Sequence, residues 1–230
     1  MIIVRKQKRN QVNTRTITDC LSSFVGVLLL FVCISSVQAD PLIQIADDVV
    51  SQTAVGVPAA KNKPNPTRYN LWMYQNFMIM EGMDALGEVT GNQYYKNYTK
   101  RSIDFFAAYQ SKFGDSMKAG PAGTGKWYTK PRQLWQTGMV ATFAEHHTMR
   151  PNPEFVRGMK TVDDLFANAP TFDDGVLVRN KSKKRGLGLQ IDDLYMMVPY
   201  WCRKAELLED SKWLDRAIEE TLHYFDYLWD

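Results

Sequence analysis

Two adjacent carboxylates carry the strongest chemical signal in this chain. Asp192 and Asp193 stand in the run Leu189-Gln190-Ile191-Asp192-Asp193-Leu194-Tyr195-Met196-Met197-Val198-Pro199-Tyr200, at the start of an apolar helical segment. Consecutive helical residues point roughly 100° apart, so the two acids cannot face one cavity. Asp192 shares a face with Tyr195, Met196 and Pro199, whereas Asp193 points with Met197 and Tyr200. An acid at a helix start has two readings. It caps free backbone N–H groups and meets the helix dipole favourably, or it gives and takes protons as a general acid and base.

Other candidates are sparser. Trp127 and Tyr128 are placed to stack on a sugar ring. His146-His147 follow Glu145 on a helix, but neighbours point apart and no second ligand pair stands at i+4, so no metal site is expected. Lys181, Lys183, Lys184 and Arg185 form a basic turn, read as solvated or as a contact for an anionic polysaccharide. Gly120 to Gly125 lacks the spacing and the preceding strand of a phosphate loop. Asn97-Tyr98-Thr99 and Asn180-Lys181-Ser182 are glycosylation sequons.

The elements that position these residues are helices. Periodicity predicts them over 67–87, 92–111, 132–149, 153–168, 191–208 and 211–229, with a β-hairpin near 173–190. In that hairpin Val176-Leu177-Val178 would pair with Gly186-Leu187-Gly188-Leu189. Helix starts at Gly91-Asn92, Asn152-Pro153 and Asp210-Ser211 recur at about sixty residues, a repeat of helical hairpins. The segment 191–208 is apolar nearly all round and 211–229 is amphipathic. Buried inner and amphipathic outer helices make an all-α (α/α)6 toroid, with a stacked solenoid as the alternative. Six such hairpins need roughly 350 residues. About three are present, so an incomplete toroid, the N-terminal half of a longer one, is expected over 67–230, after an N-terminal lead and linker over 40–66.

The first 39 residues read as an address. Arg5, Lys6, Lys8, Arg9 and Arg15 precede an apolar run from Leu21 to Val37 and a Val37-Gln38-Ala39 cleavage pattern. A secreted or periplasmic protein cut after Ala39, with no membrane attachment afterwards, is expected; an uncleaved anchor is the alternative. Cys20 and Cys33 would leave with the leader, and Cys202 alone would remain. The net charge of +3 owes much to that basic front, so nothing points to nucleic acid. At 45% apolar and 23% charged, the chain is excluded from the disordered and fibrous classes.

The run Ile191-Asp192-Asp193-Leu194-Tyr195-Met196-Met197-Val198-Pro199, following a hairpin with Asp174-Gly175, resembles the active-site helix of unsaturated glucuronyl and rhamnogalacturonyl hydrolases, glycoside hydrolase families 88 and 105. The resemblance spans Arg68 to the end and is specific over about 173–202. It implies a six-hairpin toroid without a cofactor, with Asp192 as general acid and base. It also implies oligosaccharides ending in a 4,5-unsaturated uronic acid: the acid protonates the double bond at C4, water adds at C5, and the hemiketal collapses to release the sugar. Asp193, Tyr195, Trp127, Tyr128, Trp135 and Gln136 are the expected substrate contacts. The chain differs from the family pattern at one point. A second Asp usually opens the preceding inner helix, but no acid stands between Asp115 and Glu145, and Trp135 or Gln136 occupies the place. The alternatives are therefore a non-catalytic carbohydrate-binding scaffold, or another toroid glycosidase acting on the glycosidic bond through paired acids.

Overall fold

The computed structural model describes residues 39–53, 55–57, 69, 72–113, 116–117, 127–128, 131–182 and 186–229. The expected leader up to Gln38 and residues 58–66 of the expected 40–66 lead and linker lie outside the described residues. The chain divides into two units at Ile45. In the first, residues 39–45 are helical, the start of α1 (Ala39–Gln52). The second begins at Ala46, where Ala46, Val49 and Val50 of α1 are buried and Asp47 accepts from the Tyr95 hydroxyl at 2.9 Å. No described helix is long and apolar enough to cross a membrane.

Six further helices follow: α2 (Tyr74–Thr90), α3 (Gln93–Phe113), α4 (Met139–Met149), α5 (Pro153–Asn168), α6 (Ile191–Leu208) and α7 (Lys212–Leu228). They fold as three hairpins, α2/α3, α4/α5 and α6/α7. The remaining described elements are a 3-10 turn at Leu134–Gln136 and two short ladders, so the fold is all-α and built from helical hairpins, as expected.

One local device starts each second helix. The side-chain oxygens of Asn92, Asn152 and Asp210 accept the backbone N–H two residues on, at 2.9, 2.9 and 3.2 Å. These caps satisfy N–H groups that the helix leaves free. They set the register of the repeat at Asn92, Asn152 and Asp210, one residue from the sequence alignment, which had matched Gly91 to Asn152. Each turn before them must reverse the chain quickly. Gly91 does so with φ 68°, and Glu209 adopts the same left-handed conformation at φ 50°.

Burial separates the layers. The inner helices α2, α4 and α6 touch in series, and α3 and α5 touch outside them. In α4 every residue from Met139 to Ala144 is buried, whereas α7 buries only Ala217, Glu220 and Tyr224. Aromatic rings fill the space between layers. Trp72 meets Phe106 and Phe143 edge-on, both at 5.6 Å, and its indole donates to the Gln136 carbonyl at 2.8 Å. Gly138 permits a close approach of three helices. A Cβ there would lie 2.6 Å from the Phe77 ring and 2.7 Å from the Met196 sulfur, so only a glycine lets α2, α4 and α6 meet.

Three expectations shift. Helix α2 begins at Tyr74, not 67, because Met73 is extended and Trp72 is pinned to Gln136. Helix α4 begins at Met139, not 132, because Arg132 N–H binds the Gln136 side chain and holds a separate 3-10 turn. The hairpin near 173–190 forms three residues late. Strand β3 (Arg179–Ser182) pairs with β4 (Gly186–Gly188), Arg179 opposite Gly188. Val176, Leu177 and Val178 are instead wholly core. Helix α7 takes the hydrogen-bonding groups of Leu177: its N–H donates to Glu220 at 2.8 Å and its carbonyl accepts from Tyr224 at 3.0 Å. A second ladder, β1 (Ser116–Met117) with β2 (Trp127–Tyr128), precedes this hairpin in the chain and lies outside the expected one.

The inner layer also holds charge. Arg203 of α6 binds both oxygens of Glu81 at 2.9 Å and reaches Glu145 at 3.2 Å. Nearby, burial pushes the Asp84 carboxyl up to about 7, with Glu145 and Glu81 adding and Thr99 and Arg203 opposing. Burial likewise pulls His146 down to about 4, with Arg150 second. The two act on stability with opposite sign. Folded Asp84 holds its proton more tightly than the unfolded chain, so its contribution is full at low pH and is lost as pH rises from 3.8 through about 7. Folded His146 holds its proton less tightly, so its contribution is full above 6.5 and is lost as pH falls toward about 4. Over the shared window they cancel. We expect Asp84→Asn to make the melting temperature rise with pH across that window, and His146→Gln to make it fall. Melting profiles of the two variants that run parallel would contradict this assignment.

Candidate active site

The N-terminal end of α6 is held by the hairpin before it. Gln190 is extended and gives no side-chain cap, so the two acids that follow meet the helix start alone. Arg179, thirteen positions before Asp192, reaches both from β3. Its Nε and Nη2 fork onto Asp193 at 2.8 and 2.6 Å, and Nη2 also reaches Asp192 at 3.0 Å. Burial alone would lower the pKa of the guanidinium, but Asp193 and then Asp192 over-compensate and hold it above its ordinary value. It remains a cation.

One positive charge therefore faces two negative ones, and geometry divides it unequally. Asp193 is wholly buried and takes the paired fork, the strong arrangement for a carboxylate. The Asp192 side chain is 47% exposed and has a single shared contact. With both ionised, the trio carries one unmatched negative charge, and it lies on the acid that water and ligands can reach. Protonating Asp192 makes the trio neutral; protonating Asp193 breaks a buried ion pair. Tyr224 closes the buried side, its phenol pushed well up by burial and then by the Asp193 charge.

The face of α6 bearing Asp192 continues through Tyr195, one turn on, to Arg203, three turns on. Tyr195 is half exposed and lies 6.4 Å from the Phe77 ring; its phenol is pushed up by burial and then by the Glu81 charge. Trp135, in the 3-10 turn that packs on α6, meets Tyr74 edge-on at 5.9 Å. The starts of all three inner helices thus contribute: Tyr74 from α2, Trp135 ahead of α4, and Asp192 with Tyr195 from α6. A half-exposed acid, half-exposed rings at the same end and a charged cluster three turns along the same face suit binding of a polar ring and proton transfer to it.

The sequence-predicted residues separate accordingly. Asp192, Tyr195 and Trp135 share this end of the inner layer. Asp193 is the buried counterion of Arg179. Gln136 is buried, its side chain accepting from Arg132 N–H at 2.9 Å and its carbonyl from Trp72. Trp127 and Tyr128 form β2, and their side chains lie outside the described residues. His147 accepts from Asn152 N–H at 3.0 Å, which ties it to the α4–α5 turn. Among the described residues no cluster of His, Cys, Asp and Glu is arranged to hold a metal. Sequence reasoning missed Arg179, Tyr74 and the Glu81–Arg203–Glu145 set. The signal for the last was two acids, Glu81 and Asp84, one turn apart in the largely apolar middle of α2.

Comparison with known families agrees with this geometry. The family model described as Glycosyl Hydrolase Family 88 matches residues 46–230. The chain belongs to that family. Its activity class is glycoside hydrolysis and its substrate class is carbohydrate. No curated protein and no solved structure matches the chain.

The unequal sharing of Arg179 separates stability from chemistry. Asp193→Ala leaves a largely buried cation with only its single contact to half-exposed Asp192 and should cost about 3 kcal/mol. Asp192→Asn removes one half-exposed contact and should cost under about 1 kcal/mol. Denaturant titrations of the two variants test this; equal losses would show that the two acids share the cation evenly.

Proposed function

We propose that this hydrolase acts on oligosaccharides whose non-reducing end is a 4,5-unsaturated uronic acid, with Asp192 as general acid and base. The observation that carries the reading is the position of Asp192: the one unmatched carboxylate of the Arg179 trio, half open to solvent at the start of an inner helix and one turn from the exposed ring of Tyr195. In this reaction protonated Asp192 gives its proton to C4 of the C4–C5 double bond. Water adds its oxygen to C5, and its proton returns to the Asp192 carboxylate. The hemiketal opens to a ketone at C5 and leaves a hemiacetal at C1, which expels the hydroxyl of the next sugar. One water is consumed and Asp192 ends as it began. Tyr195 and Trp135 would pack on the sugar rings.

The double bond absorbs ultraviolet light, so its loss reports turnover directly. Asp192→Asn should reduce the rate at least about 100-fold while oligosaccharide binding persists, and Asp193→Asn should act mainly on stability. A rate that survives Asp192→Asn would overturn the assignment. A second reading is favoured by one observation: Gln136, at the place where a second acid is expected, is committed to Arg132. A carbohydrate-binding scaffold would hold the same oligosaccharide and leave its absorbance unchanged.

We also propose export. The basic front and the Leu21–Val37 run support a leader removed after Ala39. Mass spectrometry of the exported protein should find Asp40 at its N-terminus; a retained leader would make the segment an anchor.

A further inference from the structure

Outer helix α7 grips the backbone that delivers Arg179, and it does so with polar side chains. Only Ala217, Glu220 and Tyr224 of this helix are buried, and two of those three spend their polar groups on one residue. Glu220 accepts the Leu177 N–H at 2.8 Å, and the Tyr224 hydroxyl donates to the Leu177 carbonyl at 3.0 Å. One turn earlier, Arg216 donates to the Gly175 carbonyl at 3.3 Å and pairs with Glu220. Residues 216, 220 and 224 form one stripe of α7. Successive turns of that stripe hold the chain at Gly175 and Leu177.

The alternation of the backbone shows what the grip is for. The Val176 carbonyl accepts from Phe172 N–H and the Val178 N–H donates to the Pro170 carbonyl, both at 2.9 Å. Thr171 and Leu177 are the bridged pair between these bonds. Alternate residues of an extended chain turn their hydrogen-bonding groups to opposite edges. Leu177 therefore presents its N–H and carbonyl to the far edge, where α7 side chains stand in for a neighbouring strand. The segment is fixed along both edges, and Arg179 follows two residues after Leu177.

Glu220 is a costly residue to use as filler. It is wholly buried, and burial pushes its carboxyl up, with Arg216 and the Leu177 N–H opposing. Hydrocarbon would occupy the same space without removing an ion from water. What hydrocarbon lacks is the acceptor that fixes Leu177 and, through it, the point where β3 begins. Tyr224 stands close to the site as well. Its phenol, raised first by burial, also feels the charges of Asp193, Arg179 and Asp192.

We propose that Glu220 and Tyr224 are positioning residues for the proton transfer: by fixing Leu177 they aim Arg179, and through Arg179 they hold the Asp192 carboxylate in its reactive orientation. This rests on Asp192 as general acid and base acting on an unsaturated uronic acid. Neither residue touches the sugar.

Turnover of an unsaturated uronyl disaccharide by the full chain, followed by its ultraviolet absorbance below the melting transition of each variant, tests this. Tyr224→Phe removes a single oxygen and should lower kcat about 10-fold with KM within about twofold, because a misaimed acid is felt in the transition state and not in binding. Glu220→Met should do the same. Glu220→Gln keeps an acceptor for Leu177 and should retain kcat. In an Asp192→Asn background, Tyr224→Phe should leave the residual rate unchanged, since its effect passes through Asp192. An unchanged kcat in Tyr224→Phe would overturn the proposal, as would equal losses in Glu220→Gln and Glu220→Met or a Tyr224→Phe effect that persists without Asp192. A wild type that leaves the double bond intact would overturn the substrate reading instead. The link from α7 to Arg179 is then read from melting temperatures. Glu220→Met with Asp193→Asn should lose less than the two single variants summed, and additive losses would overturn the link.

Discussion

The sharing of Arg179 between Asp192 and Asp193 is the interaction on which the site depends. A carboxylate as buried as Asp193 is sustained only by a close, well-oriented cation. That cation arrives because β3 begins where it does, immediately after Val178. The segment Val176–Val178 is fixed in turn by α7, whose Glu220 and Tyr224 take both hydrogen-bonding groups of Leu177. The geometry at the start of an inner helix is thus set by an outer helix of the same hairpin. Packing decides where β3 starts, β3 delivers Arg179, and Arg179 leaves Asp192 as the acid with an unmatched charge.

What was legible in the sequence was what local chemistry decides. The caps at Asn92, Asn152 and Asp210 are short-range, and the repeat they announce was visible, displaced by one residue at Asn92. The different directions of Asp192 and Asp193 follow from helical periodicity alone: Asp193 is wholly buried and Asp192 half exposed, although Met196, on the Asp192 face, is buried as well. What was illegible depended on distant partners. Val176, Leu177 and Val178 read as a strand because three consecutive β-formers suit a buried ladder. Leu177 pairs its backbone groups instead with side chains more than forty residues away, while Val176 and Val178 bond back to the turn at 170–174. Helix α2 starts late for the same reason, with Trp72 tied to Gln136 across 64 residues. No periodicity argument contains Arg179, whose role exists only once the hairpin folds back over the helix.

The distribution of charge separates what the scaffold needs from what the site needs. Outer-layer pairs such as Lys100–Asp104 and Lys160–Asp164 are largely exposed and contribute little stability, but they keep the surface solvated. The inner helices have no such requirement. Hydrocarbon would fill their interfaces at lower cost, since removing ions from water is expensive even when they are paired. Yet one stripe of α6 carries Asp192, Tyr195 and Arg203, and the face of α2 toward it carries Glu81 and Asp84. These are the positions where local consistency with an apolar inner layer is broken, and such breaks concentrate where a protein binds or reacts. Asp192 stands at the solvent end of that stripe, where a proton can be exchanged and a ligand can arrive. Glu81, Arg203 and Glu145 meet three turns further along and are mutually neutralised as far as one cation allows. The stripe reads as one polar lining, open at the Asp192 end, carried by helices whose other faces are committed to packing.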